Sequence, residues 1–108
     1  MATTYLSPQQ LKDFAQRVEE AAKKFPGEVV RIRHSFSRDW DGDPAIYFRI
    51  VLTDRALLHR HLTELTGAIK SALMKDLAFY QSEYAIYIPY FNFRTEAEQK
   101  QLKDPEWE

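Results

Sequence analysis

The chain has no cysteine, three glycines and no long apolar run among its 108 residues. Without cysteine there is no disulfide, no thiolate zinc site and no cysteine nucleophile, a pattern that fits a reducing compartment. Scattered glycines at 27, 42 and 67 cannot build a phosphate loop, a dinucleotide fingerprint or a hydrolase elbow. No stretch approaches the roughly 20 apolar residues of a membrane helix, and Met1 to Leu11 lacks the basic and apolar regions of a signal peptide. An excess of one charge is missing too. Fifteen Lys and Arg stand against sixteen Asp and Glu, net −1, so no global field gathers nucleic acid or an anionic membrane. The expectation is a cytosolic protein with no membrane contact and no cofactor.

What is present suits one small globular domain over residues 1–108: hydrophobic residues are 44% and charged residues 29%, enough for a single core. A first helix is announced by Ser7 at an N-cap, Pro8 at the first helical position and Gln10 completing a capping box. Leu11, Phe14, Ala15, Val18, Ala21, Ala22 and Phe25 recur at helical spacing, and Pro26-Gly27 ends the run. Two segments then alternate as strands, Val29 to Arg38 and Ala45 to Thr53. Val30, Ile32, His34 and Phe36 share one face of the first; Ile46, Phe48, Ile50 and Leu52 share one face of the second. A two-residue Asp41-Gly42 turn would set Phe36 opposite Tyr47 and turn one apolar row outward, so the connection should have three or five residues.

Thr53 or Asp54 is expected to cap a second helix running to about Lys75, with Leu58, His61 or Leu62, Leu65, Ile69, Ala72 and Leu73 inward. Tyr84 to Ile88 reads as a third strand at a sheet edge, because of Pro89. Thr95-x-x-Glu98 opens a last short helix, closed before Pro105. The α-β-β-α-β-α order predicts an α+β two-layer sandwich, a small antiparallel sheet with two helices on one face.

Three surfaces carry candidate chemistry. Asp39, Trp40, Asp41 and Asp43 make an acidic, aromatic loop between the two strands, and form the leading candidate for binding a protein partner. The same aspartates match the first positions of a calcium loop, but Pro44 and Ile50 stand where glycine and glutamate are needed; a metal-dependent enzyme at this loop is therefore the third reading. The alternative is nucleic-acid binding by the far sheet face, where Arg31, Arg33 and Arg49 supply phosphate donors and Tyr47 a stacking plate. The histidines do not converge: His59 and His61 point away from each other on a helix, His61-x-x-Glu64 offers two ligands only, and His34 lies on an apolar face. Finally, Phe79 to Phe93 holds seven of the fifteen aromatics, more than three strands bury, which suggests a homodimer.

Two strings, Gly42-Asp43-Pro44-Ala45-Ile46-Tyr47-Phe48-Arg49 and Tyr90-Phe91-Asn92-Phe93-Arg94, with Asp104-Pro105-Glu106-Trp107 after them, resemble a family of small bacterial proteins with no assigned activity. Proteins of that class often work beside a second gene product, so the resemblance implies an accessory or antitoxin-like subunit. The element order is also similar to type II KH-like and BolA-like folds, although the glycine-x-x-glycine loop with which KH domains clamp RNA is absent. The leading expectation is a non-enzymatic protein-interaction module.

Overall fold

The computed structural model describes residues 5–58 and 60–108. Helix α1 spans Pro8–Ala22 and begins as its capping box requires: the Ser7 hydroxyl accepts from the Gln10 amide, and the Gln10 side chain accepts from the Ser7 amide. Phe14, Val18 and Ala21 are its buried stripe. Strands β1 (Val29–Arg38) and β2 (Pro44–Leu52) pair antiparallel, with His34 opposite Phe48 and Phe36 opposite Ile46. Both apolar rows therefore meet the same core. The pairing closes at Arg38 opposite Pro44, leaving the five-residue loop Asp39–Asp43.

At the far end of this pair the register slips between Val29 and Arg31. Val30 is the extra residue of a bulge and is exposed, so it does not continue the inward row of Ile32, His34 and Phe36; Val29 packs against the core instead.

Helix α2 runs Leu62–Asp76, seven or eight residues later than a cap at Asp54 or Thr53 would start it. Both side chains are committed elsewhere. The Thr53 hydroxyl donates to the Gly27 carbonyl at 2.7 Å, and the Asp54 carboxylate accepts from the Ala97 amide at 3.0 Å. Residues 54–57 form turns, His61 takes the N-cap without a side-chain bond, and Leu58 and Leu62 are exposed. Leu65, Ile69 and Leu73 are inward as expected.

The third strand, β3, is Ile88–Thr95 and not Tyr84–Ile88. The earlier segment folds as two short 3-10 turns, Phe79–Gln81 and Glu83–Ile86. A 3-10 spacing brings residues three apart to one side, and Tyr84 and Tyr87 are both buried there. Pro89 sits second in β3, which is an edge strand of the order β1-β2-β3. Because β2 reaches β3 through the α2 crossover, the two run parallel, and the sheet is mixed where an all-antiparallel one was expected.

The α+β order is α-β-β-α-β-α, with α1 and α2 on one face of the sheet, their stripes joined to Ile32, Phe36, Ile46, Phe48, Ile50 and Leu52 in one core. Helix α3 (Glu96–Leu102) starts at the Thr95–Glu98 capping box. Lys103 then turns the chain in a left-handed conformation, φ 53°, into a last 3-10 turn, Pro105–Trp107. No described helix is long and apolar enough to cross a membrane.

Candidate interaction surfaces

The acidic loop is built around Asp39. Its Oδ1 accepts from the amides of Asp41 (3.0 Å) and Asp43 (2.9 Å), while its Oδ2 accepts from the Tyr90 hydroxyl at 2.9 Å. The Asp39 amide donates to the Asp43 carbonyl and its own carbonyl accepts from Gly42, each at 2.9 Å. Gly42 supplies the positive φ, 86°, that the turn needs. Arg38 ties the far side by donating from Nη1 to the Gly42 carbonyl at 2.7 Å.

Asp39 is thus only 8% exposed, a fixed post inside the loop whose oxygens face donors of the loop itself and of Tyr90. Burial works against its ionisation, but the donors of Tyr90, Asp43, Asp41 and Gly42 outweigh it and hold its carboxyl below the usual range. The same bond acts reciprocally on Tyr90. Its phenol is pushed up to about 12, first by donating to Asp39, then by burial and by the nearby negative charge. Tyr90 in turn stacks on Tyr47, rings 5.2 Å apart and 15° from parallel, so the loop rests on an aromatic shelf of the sheet.

On this platform Trp40 is 87% exposed, the most open large apolar side chain among the described residues, and Asp41 and Asp43 are exposed beside it. Both oxygens of Asp39, the first of the three aspartates, already accept from donors of the protein itself. Among the described residues, no group of three histidines or acids is placed to hold a metal ion. His34 is half-buried with its ring 4.9 Å from Phe14, His61 begins α2, and His59 lies outside the described residues.

The arginine face is partly covered. Residues 104–108 lie across it. Arg31 Nε donates to the Trp107 carbonyl at 2.9 Å, and Arg33 Nε to the main-chain oxygen of Glu108 at 2.6 Å. Arg49 pairs with Glu106 at 3.0 Å and Arg31 with Glu108 at 3.4 Å. Arg94, from β3, pairs with Asp104 at 3.6 Å and sets its guanidinium 4.2 Å from the Trp107 ring. Trp107 is 5% exposed and Val51 of the same sheet face is fully buried. Tyr47, expected as a stacking plate, is itself stacked on Tyr90.

Sequence reasoning brought Arg31, Arg33 and Arg49 to one face correctly. It missed Tyr90 and Arg94, because the third strand was placed four residues early at its start and seven at its end, and it missed the segment that covers them. A signal existed: Asp39-Trp40-Asp41 and Glu106-Trp107-Glu108 share an acid–Trp–acid order. Compared with protein families, with curated proteins and with solved structures, the chain matches none.

Proposed function

We propose that this chain is a non-enzymatic protein-interaction module that offers Trp40, flanked by Asp41 and Asp43, to a protein partner, in the manner of an accessory or antitoxin-like subunit of a small complex. One observation carries the reading: an 87% exposed tryptophan stands on a loop whose backbone is already fixed by its own hydrogen bonds. A large aromatic presented without further ordering is what interface anchors require, since ordering a loop on binding opposes affinity. The flanking carboxylates favour a basic surface on the partner.

Nucleic-acid binding by Arg31, Arg33, Arg49 and Tyr47 is the weaker alternative, because carboxylates and main-chain oxygens of residues 104–108 already hold those guanidiniums. The test is capture from nuclease-treated host extract by tagged wild type and by Trp40→Ala. A protein retained by the wild type and reduced at least about tenfold with Trp40→Ala, roughly 1.4 kcal/mol of binding, supports the reading. Identical captures by two equally folded chains refute it.

A further inference from the structure

The contacts of residues 104–108 are those of a bound peptide more than those of a structural element. The segment pairs with no strand. Its own backbone bonds are local, Trp107 to Asp104 at 3.1 Å and Glu108 to Pro105 at 3.2 Å. It is held by side chains of the sheet and by the buried Gln99 of α3, acting together on three main-chain oxygens, three carboxylates and one indole face. The Glu106 and Glu108 side chains are 67% and 60% exposed, so their ion pairs are solvent-screened and cheap to exchange. Lys103, at φ 53°, ends α3 in a left-handed turn just before it. Beyond Glu106 the surface does not close. An open cleft of about 390 Å³ continues along the face past Ser35, Ser37, Tyr47 and Arg49.

We infer that the sheet face formed by Arg31, Arg33, Arg49 and Arg94 is a recognition surface for acidic peptide segments bearing a tryptophan, and that residues 104–108 are its resident, displaceable occupant. Each part of the ligand has a counterpart already visible. Arg94 takes the indole as a planar cation over a π face, Arg49 and Arg31 take the flanking carboxylates, and Arg31 and Arg33 fix the backbone through its carbonyls. An incoming segment would claim these same groups. It must first overcome the high effective concentration of a covalently tethered competitor, on the order of millimolar. This surface is separate from the Trp40 loop, and its test does not involve Trp40 as a binding group.

The probe is a fluorescein-labelled peptide with the sequence of residues 103–108, followed by anisotropy against two full-length chains, wild type and Glu106→Ala with Trp107→Ala. The doubly substituted chain should bind at least about tenfold more tightly than the wild type, whose own segment competes. Adding Arg49→Ala and Arg94→Ala should abolish that binding, and so should alanine for tryptophan in the peptide. No binding by a folded, doubly substituted chain overturns the inference, as does equal binding by both chains. Capture of an oligothymidylate in place of the peptide overturns it in favour of nucleic acid. Should the doubly substituted chain unfold, Trp40→Phe leaves Trp107 as the one fluorescent reporter. An excess of the peptide carrying non-fluorescent 4-fluorotryptophan in place of tryptophan should then red-shift its emission, and an unchanged spectrum at millimolar peptide refutes displacement.

Discussion

A single carboxylate decides whether the acidic loop is a shaped platform or a loose turn. Asp39 was one of four acidic or aromatic residues offered by the sequence as partner contacts, and nothing in its neighbours separates it from Asp41 or Asp43. What separates it is Tyr90, fifty-one residues away, whose hydroxyl it accepts. Long-range pairs of this kind leave no local pattern, so the loop was legible while the division of labour inside it was not. The coupling gives a measurable signature. With its phenol pushed up to about 12, Tyr90 should ionise well above the ordinary value of 10, and the wild type minus Tyr90→Phe difference absorbance at 295 nm should isolate that step. Asn at position 39 turns an acceptor into a donor facing the hydroxyl, so Asp39→Asn should bring the transition back toward 10, the ordinary value. The linkage has a definite sign: a folded-state phenol pKa above the unfolded one contributes stability that is whole below pH 10 and lost as pH rises toward 12. A Tyr90 transition that does not move in Asp39→Asn would show that burial, not the carboxylate, sets it.

Among the elements, those whose boundaries are set by their own residues were read correctly, and those set by distant partners were not. Ser7 with Gln10 and Thr95 with Glu98 each close a capping box within four residues, and α1 and α3 begin where those boxes place them. That the β1–β2 loop is odd in length followed from parity alone, because one buried face tolerates a single register; the choice of five over three did not. Helix α2 failed as a boundary because Thr53 and Asp54, good caps in isolation, satisfy Gly27 and Ala97. The parallel β2–β3 pairing was hidden for the same reason: strand direction depends on the crossover, not on strand composition.

Two glycines test this local logic with opposite signs. Gly67 lies in the middle of α2 with nothing within 4 Å of an added Cβ, so Gly67→Ala should stabilise by about 1 kcal/mol, raising Tm by roughly 4 °C. Gly42 has equal space but φ 86°, so Gly42→Ala should destabilise by about 1 kcal/mol. Thermal melts of both variants check the pair. If both moved Tm the same way, space and not backbone conformation would govern the loop.

For the whole molecule, the aromatic hub under α1 links fold to conditions. Phe14 meets His34 at 4.9 Å, Phe36 at 5.0 Å, Phe48 at 6.0 Å and Tyr84 at 4.9 Å, joining α1, both antiparallel strands and the second 3-10 turn. The sequence put His34 on this apolar face, and the structure keeps it there, half-buried against two aromatic rings. Burial first, and the neighbouring Arg33 charge second, depress its pKa below 6.5. A folded state that binds the proton less readily than the unfolded one loses stability as pH falls, here from the unfolded value of 6.5 downward to the depressed folded value. Loss of the Asp39 contribution belongs to a separate, more acidic window, below its ordinary value of 3.8. Urea unfolding between pH 7.5 and 5 should therefore show the wild type losing stability while His34→Leu, with no proton to take up, stays flatter. The two curves converge or cross toward acid, whatever the packing change costs at neutral pH. Curves that run parallel across the range would mean that His34 takes its proton as readily folded as unfolded, and that the hub opens to water at its β1 side.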